Sequence, residues 1–234
     1  MENLTLTLAL DATAVPDSGE VHSAERVAFL LRQEILYGKL RPGAKLKDTH
    51  LSASYGVSRN TMRDAIRQLT ADGLVVQRLH NGSMVRVLSE DDVRDIYRVR
   101  RVLEEAAIRA SSQAPASQLR DVVACVDETA RCVAAEDWDQ VNTATMLYHQ
   151  AIVRMLDSAR TDAFFENILA QLRLSFGYIP DQGEFHVKWL ERDQTIASLL
   201  MAGKREDACR ELAFYLNDSE AQIIDLIRSG RQPH

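Results

Sequence analysis

The sequence "LSASYGVSRNTMRDAIRQLTADGLV", residues 51–75, combines a buried helical pattern with a crowd of hydrogen-bond donors. Met62, Ile66 and Leu69 recur at the spacing of a helix with one apolar face. Ser58 is a favourable N-cap residue and Gly73 a favourable stop, so the stretch predicts a helix that ends near residue 72. The polar residues at its start are Ser58, Arg59, Asn60, Thr61 and Arg63.

Another helix is predicted upstream, over residues 23–37. Ser23 is its predicted cap, Gly38 its predicted stop, and four apolar residues fall on one stripe. The stripe consists of Val27, Leu30, Leu31 and Ile35. Residues 1–20 hold four acidic residues and no basic one. We therefore expect a poorly ordered tail there and not a secretory signal.

A short helix and a hairpin complete the N-terminal domain. Asp48 is the predicted cap of the short helix, and Gly56 supplies the tight turn that follows it. Beyond the third helix, two β-rich runs flank Asn81-Gly82, a dipeptide typical of hairpin turns. Three helices and a hairpin predict a winged helix-turn-helix over residues 21–87, in which the hairpin is the wing.

The rest of the sequence has a helical pattern throughout. A capping sequence at residues 88–92 starts the first helix, and no alternating β-pattern follows. Residues 88–230 therefore predict an all-helical bundle of six to seven helices, and the fold as a whole is predicted to be mainly α. The predicted helical segments are 90–111, 116–135, 137–157, 160–179, 184–202 and 204–228.

The charge distribution separates the two domains. Residues 21–87 hold 11 Lys and Arg against 5 Asp and Glu, although the whole chain carries a formal net charge of -6. A basic module inside an acidic chain is typical of a nucleic-acid-binding domain joined to a separate partner domain. No apolar run approaches the roughly 20 residues that cross a bilayer. Three cysteines give no disulfide framework, so we expect a cytoplasmic protein with no membrane partner.

The donors at residues 58–63 stand where a recognition helix meets DNA. Such a helix enters the major groove N-terminus first, and Arg59 and Arg63 share one of its faces. Arginine forms bidentate pairs with guanine, whereas hydroxyl and amide groups reach phosphates. The wing and the start of the second helix add further candidates. The predicted DNA contacts are Lys47, Thr49, Ser58, Arg59, Asn60, Thr61, Arg63, His80, Asn81 and Gly82.

These motifs resemble the GntR family of bacterial transcription regulators. The segment that begins "LRPGAKLKDTHLSASYGVSRN" follows the family pattern GVSR-x-x-x-R-x-A-x-x-x-L with a glycine-tipped wing. "SEDDVRDIYRVRRVLEEAAIRAS" resembles the first helix of the FCD subgroup, named for the C-terminal domain of the fatty-acid regulator FadR. The resemblance covers about residues 22–225. It implies a homodimer on a near-palindromic DNA operator, controlled by a small-molecule effector in the helical domain.

The resemblance also implies a metal site, which is incomplete in this sequence. Many FCD domains bind a metal with one Asp and three His, at positions that align with Thr145, His149, Asp193 and Tyr215. Only His149 and Asp193 remain as ligands, and two protein ligands rarely hold a metal alone. Three interpretations stay open: a metal-free polar pocket, a hydrogen-bonded core network, and a retained or altered divalent-metal site on His149 and Asp193, with His186 as a weaker additional candidate. No motif requires a cofactor.

Two arginines are candidates for binding a carboxylate effector. Arg100 matches an arginine on the first helix of the subgroup, and it can pair with an effector or, equally, with Glu104 one turn on. Arg173 is a second candidate of the same kind. The predicted effector-binding residues are Arg100, Thr145, His149, Arg173, Asp193 and Tyr215.

The sequence favours a DNA-binding transcription regulator, a homodimeric repressor whose operator affinity responds to a small carboxylate. The alternative is an effector-independent dimeric DNA-binding protein whose helical domain is only structural. A hydrolase built on His149 and Asp193 would need further motifs. No nucleophile elbow, P-loop, H-E-x-x-H or dinucleotide fingerprint occurs in the sequence, so we predict that the protein is not an enzyme.

Overall fold

The computed structural model describes residues 19–36, 39–78, 82–179 and 182–230. The chain divides into two units: residues up to 35 with 43–86, and residues 36–42 with 87 onward. Helices dominate the described residues, and a single small sheet lies in the first unit. The mainly α fold is therefore confirmed. Predictions on residues 1–18 of the tail and on Gly38, His80 and Asn81 lie outside the described residues.

The first unit contains three helices and a three-stranded antiparallel sheet in the order β1-β3-β2. The third strand was not predicted; it arises because Lys45 pairs with Met84 and Leu46 pairs with Ser83. The helices and the hairpin confirm the winged helix-turn-helix. The elements are α1 Gly19–Leu36, β1 Lys45–Leu46, α2 Asp48–Ser54, α3 Arg59–Ala71, β2 Val75–Arg78 and β3 Gly82–Val85.

Helix α3 buries its predicted apolar face. Met62, Ile66 and Leu69 are at most 3% exposed, which confirms this part of the predicted core. On α1, three of the four residues of the predicted stripe are buried, but Leu30 is 38% exposed. Consecutive helical residues point about 100° apart. Leu31 takes the inward direction, so the prediction for Leu30 was wrong.

Two predicted helix caps were wrong. Helix α1 begins at Gly19, so Ser23 lies inside it; serine is tolerated in a helix and does not by itself mark a start. The N-cap of α2 is Lys47, which makes no side-chain capping bond, and Asp48 is the first helical residue. The Asp48 carboxylate bonds to Arg63 instead of to the backbone of its own helix.

The second unit is a bundle of six α-helices and one short 3-10 helix within the described residues. The predicted helix over 160–179 is α-helical only to Arg173 and continues as the 3-10 segment Leu174–Tyr178. Helix α4 packs against α6 and α9, and α8 packs against α6 and α9, so these four helices share one interior. The helices are α4 Glu90–Ala110, α5 Ala116–Ala134, α6 Trp138–Arg154, α7 Ala159–Arg173, α8 Gln182–Met201 and α9 Arg205–Gly230.

Helix ends in the second unit fall at the breaks expected from the sequence. Glu136, Asp157 and Gly203 all have positive φ, the left-handed conformation that commonly follows a helix. Helix α4 begins with a capping box in which Ser89 and Asp92 each accept a hydrogen bond from the other's backbone N–H. Within the described residues, no helix combines the length and the apolar character needed to cross a membrane.

Candidate functional site

The first turn of α3 presents polar side chains to solvent. Ser58, Arg59 and Asn60 are exposed, and Thr61 is half-buried. The backbone N–H of Thr61 donates to Ser58 Oγ at 3.1 Å, and the two hydroxyl oxygens lie 2.8 Å apart. Ser58 and Thr61 thus stabilise the helix start, as the predicted cap requires. Arg59 and Asn60 stay exposed at the positive end of the helix dipole.

An aspartate of α2 holds both arginines of this face. Asp48 Oδ2 lies 2.7 Å from Arg63 Nε and 3.8 Å from Arg59 Nη2. The hydrogen bond from Arg63 lowers the pKa of Asp48 despite the opposing effect of desolvation, so the carboxylate is charged at neutral pH. The arginine side chains remain 58% and 52% exposed. Asp48 therefore restricts the two guanidinium groups without covering them.

A groove of about 460 Å³ opens beside Arg63, between the start of α2, α3 and the wing strand β3. The predicted contact residues in its wall are Lys47, Thr49, Arg63 and Gly82. Lys45, a phosphate-contact candidate from the sequence, also lines it, as does Arg67, which was not among the predicted contacts. Arg67 could have been found, because it follows Arg63 by one helical turn. Among the described residues of this wall, the four cations outnumber Asp48, the one acidic residue, which suits a phosphate backbone.

Gly82 pairs with Arg78 and opens β3, so it lies beside the wing loop and not at the centre of a two-residue turn. Its φ is +73°, and nothing lies within 4 Å of the place a Cβ would occupy. The glycine is therefore needed for its backbone conformation and not for lack of space. The other predicted wing contacts, His80 and Asn81, lie outside the described residues.

The second unit contains a buried chain of polar side chains from three helices. Arg100 Nε donates to Glu104 Oε1 at 2.8 Å, and His149 Nδ1 lies 2.7 Å from Glu104 Oε2. His149 Nε2 lies 3.1 Å from the Tyr215 hydroxyl. All four residues are at most 4% exposed. A carboxylate only accepts, so His149 Nδ1 carries the proton and Nε2 accepts from Tyr215.

Burial and neighbouring charges set the ionisation of this chain. Burial by itself would raise the pKa of Glu104, but Arg100 and His149 outweigh it, so its pKa is lowered and the carboxylate is ionised. Burial, together with the Arg100 charge, lowers the pKa of His149 by more than Glu104 raises it, so the imidazole is neutral at pH 7. Burial raises the pKa of Asp193 well above its usual value, which favours the neutral form of this carboxyl.

A small cavity lies against this chain, with free space of about 20 Å³, room for one water molecule. The predicted effector residues in its wall are Arg100, Thr145, His149 and Tyr215. Asp193 and Arg173 are not in the wall. The backbone carbonyl of Asp193 accepts a hydrogen bond from the Tyr148 hydroxyl, and the Arg173 guanidinium lies 5.3 Å from the ring centre of Phe176.

Most of the cavity wall is aromatic, which the sequence analysis missed. Its rings are Tyr97, His149, Phe176, Phe185, His186, Trp189 and Tyr215. Phe185 and Trp189 lie one turn apart on α8, but the same spacing describes an ordinary core face and gave no functional signal. Among the described wall residues, the buried side-chain atoms without a hydrogen-bond partner are Arg100 Nη2 and Trp189 Nε1.

The positions aligned with the metal ligands do not assemble a ligand set. Thr145 and Tyr215 offer hydroxyl groups, and both ring nitrogens of His149 are hydrogen-bonded, to Glu104 and Tyr215. No cluster of three or more His, Cys, Asp or Glu side chains able to hold an ion occurs in the described parts of the chain. These residues therefore do not fit the divalent-cation site that the resemblance implies.

Two family models match the chain. The model described as bacterial regulatory proteins, gntR family, matches residues 23–85, and the FCD domain model matches residues 95–217. The first match includes the helix-turn-helix and the wing. The second includes Arg100, His149, Trp189 and Tyr215 of the buried cavity.

Individual relatives are similar along much of the chain. The Nta operon transcriptional regulator of Aminobacter aminovorans is 25% identical over 81% of this chain and 89% of its own length. The gluconate operon transcriptional repressor of Bacillus subtilis (strain 168) is 26% identical over 61% of this chain and 59% of its own length. A crystal structure from Rhodococcus sp. RHA1, titled as a GntR transcriptional regulator, is 36% identical, with a TM-score of 0.81 over 86% of this chain and 97% of that one.

Proposed function

Because the chain belongs to the GntR family of bacterial transcription regulators and carries an FCD domain, we propose that it is a homodimeric repressor whose affinity for a near-palindromic operator changes when a small carboxylate binds the helical domain. It is a transcription regulator and not an enzyme. The observation that carries the proposal is that one chain holds both an exposed, oriented arginine pair and a buried cavity with an unpaired guanidinium nitrogen. We propose that the protein is located in the cytoplasm, together with the DNA that contains its operator.

On DNA, the first turn of α3 enters the major groove. Arg59 and Arg63 each reach a base edge, and arginine pairs best with guanine. Lys47 and Thr49 bind phosphates from the start of α2, and the wing backbone at Gly82 approaches the duplex. The remaining predicted contacts lie at the start of α3 and in the wing, and we propose that they add phosphate or further base contacts. They are Ser58, Asn60, Thr61, His80 and Asn81.

The dimer rests on the family and on the geometry of DNA. Two winged modules related by a two-fold axis present two recognition helices in opposite directions. Such a pair fits two half-sites of a near-palindromic sequence. The proposed operator follows from this symmetry.

The effector half is supported by Arg100. Arg100 lines the cavity and its buried Nη2 has no partner, and a carboxylate accepts strong bidentate hydrogen bonds from a guanidinium. The Bacillus subtilis relative is named as the repressor of a gluconate operon, which favours repression for this chain as well. We propose that no metal or other cofactor is needed, because hydroxyls replace two ligands and both nitrogens of His149 are already hydrogen-bonded.

Selection of operator sequences from random duplexes, followed by fluorescence anisotropy at fixed salt, tests the DNA half. Arg63→Ala should weaken operator binding by about 1–3 kcal/mol for each half-site, the worth of one bidentate base contact. Arg98→Ala is the matched control, since this arginine of α4 is 71% exposed and pairs only weakly with Asp95 at 3.9 Å. Operator affinity that is unchanged in Arg63→Ala would refute the assignment of α3 as the recognition helix.

The second candidate function is DNA binding without an effector. It is favoured by the small free space of the cavity and by the hydrogen bonds that already join Arg100, Glu104, His149 and Tyr215. A thermal-shift screen of carboxylates, amino acids, sugar acids and divalent metals separates the two. A ligand of the folded state must raise the melting temperature, and the absence of any shift would favour the effector-free regulator.

A further inference from the structure

We infer that the cavity of the helical domain takes a flat aromatic carboxylate, held by N–H donors of Arg100 and Trp189 and not by a metal ion. The inference rests on the proposed effector function and narrows the chemical class of the ligand. Three observations carry it: two unpartnered donors, an aromatic wall, and hydroxyls at two of the positions aligned with metal ligands.

The unpartnered atoms of the wall are both donors. Arg100 is 2% exposed and donates its Nε–H to Glu104, whereas its Nη2 has no acceptor. Trp189 is 3% exposed, and its Nε1, which can only donate, also has no acceptor. Buried donors without partners carry a desolvation penalty that a bound acceptor removes. Two such donors in one cavity wall point to a ligand with acceptor oxygens, and the guanidinium favours an anionic one.

The rest of the wall selects the body of the ligand. The rings of Phe185 and Trp189 have centroids 6.2 Å apart, and those of Trp189 and Tyr215 are 4.8 Å apart in an edge-to-face arrangement. Met146, Leu172 and Ile223 complete the apolar surface. A ligand ring packed against this aromatic surface gains stacking and edge-to-face contacts. The hydroxyls of a sugar acid would lose their hydrogen bonds to water against the same surface.

The acid group cannot be held as in a metal-dependent pocket. Thr145 and Tyr215 stand at two positions aligned with metal ligands, and Tyr215 bonds to His149 Nε2, the atom a cation would need. His149 Nδ1 is bonded to Glu104. The unpartnered donors that belong to residues of the cavity wall are thus N–H groups, so binding of the acid should not depend on divalent ions.

The small free space adds a condition. A cavity of about 150 Å³ is known to take benzene in another protein, whereas about 20 Å³ is free here. Part of the wall must therefore move. Phe176 lies on the 3-10 segment Leu174–Tyr178 and Phe185 in the first turn of α8. Short 3-10 segments have poorer hydrogen-bond geometry than α-helices, so these two rings are the ones we expect to shift.

Isothermal titration of the full-length protein with benzoate tests the inference. Three matched probes accompany it: cyclohexanecarboxylate keeps the acid and removes the aromatic ring, benzamide keeps the ring and removes the charge, and gluconate is a polar aliphatic acid. Each titration is repeated with EDTA. Benzoate should bind about three- to tenfold more tightly than cyclohexanecarboxylate and about tenfold more tightly than benzamide, with no change in EDTA.

A variant assigns the binding to this cavity. Trp189→Phe keeps one aromatic ring in the wall but removes the N–H together with the second ring of the indole, so benzoate affinity should fall about tenfold while operator binding persists. Trp138→Phe is the matched control, because this second tryptophan stacks on His186 but does not line the cavity. Arg100→Lys, which keeps a cation beside Glu104, should also weaken benzoate binding, and operator binding again reports that the variant is folded.

The outcomes separate the inference from the proposed function. Equal binding of cyclohexanecarboxylate or benzamide, loss of binding in EDTA, or an unchanged Trp189→Phe variant each overturns the inference. Binding of gluconate without benzoate overturns it too, yet leaves an effector-controlled regulator. If none of the probes binds while the operator is still bound, the inference fails, and the wider thermal-shift screen then decides whether the effector half of the proposed function fails with it.

Discussion

The recognition end of α3 and the buried cavity of the helical domain are built in opposite ways. The side chains of α2 and α3 that we propose as DNA contacts lie between residues 47 and 63, are mostly exposed, and meet through short local contacts such as that between Asp48 and Arg63. The cavity wall joins Arg100, His149 and Tyr215 from three different helices with almost no exposure. The difference teaches that residues of the exposed site can be substituted with little loss of stability. Substitutions in the buried site should lower the free energy of unfolding.

Glu104→Gln should produce the largest effect, on stability. Glu104 is the shared acceptor of Arg100 and His149, so its neutralisation leaves a buried guanidinium without its counter-charge. We expect the free energy of unfolding, measured by urea denaturation, to fall by about 3–5 kcal/mol. Glu206→Gln, which removes the exposed ion pair with Arg109, should change it by less than about 1 kcal/mol. Equal effects would erase the contrast between the two regions.

His186 should give the next largest effect, through pH. Burial, aided by Arg173, lowers its pKa to about 4, below the roughly 6.5 of an unfolded chain. A histidine with a lower pKa in the folded state adds stability above about pH 6.5, and this stability is lost as the pH falls toward 4. The contribution is about 3 kcal/mol. Between pH 7 and pH 4, the free energy of unfolding measured by urea denaturation should therefore fall less steeply for His186→Phe than for the parent chain. Identical pH slopes would contradict the burial of a neutral imidazole.

Asp48→Asn should change DNA selectivity and leave the melting temperature unchanged. Without the carboxylate, Arg63 and Arg59 lose their common anchor, and one repulsive charge near the phosphates disappears. The ratio of operator to random-duplex affinity, measured by anisotropy, should fall about fivefold, part of the worth of a good base contact. Asp64→Asn removes an equal charge from α3 without releasing Arg63, since Asp64 pairs with Arg67. A similar fall in that control would reduce the role of Asp48 to charge alone.

Lys47→Ala should have the smallest effect, equal for all DNA sequences. Lys47 is exposed in the wall of the α2–α3–wing groove, where a lysine neutralises one phosphate. The plot of log affinity against log salt concentration should become less steep by about 1 for each half-site of the dimer. Lys204→Ala, an exposed lysine of the helical domain, should leave the slope unchanged. A loss confined to the operator would make Lys47 a base-reading residue.

Local chemistry explains why the DNA-binding half was predictable. Gly56 and Gly73 both adopt positive φ, at the turn before α3 and at its end, so the elements there follow from the sequence alone. The family models then confirm the resemblance that these motifs suggested. The failures are tertiary: Asp48 bonds across to α3 instead of capping its own helix, and β1 forms because a distant strand lies beside it.

The buried site was predicted less completely for the same reason. The sequence left open whether Arg100 pairs with Glu104 or with a ligand, and the structure shows one nitrogen on Glu104 and another without a partner. Trp189 was missed because an aromatic residue on an apolar helix face has no local mark of function. Only the packing of α4, α6, α8 and α9 brings its indole to the same cavity as Arg100.

The double use of Glu104 has an evolutionary consequence. A lineage that replaced this glutamate first would leave the Arg100 guanidinium buried without a counter-charge. A lineage that replaced Arg100 first would leave the Glu104 carboxylate in the same position. We therefore expect the two positions to be substituted together among descendants. His149, which shares Glu104 as a hydrogen-bond partner, should be substituted soon afterwards. In branches where all three residues have become apolar, the regulator should still bind its operator but should no longer respond to a carboxylate.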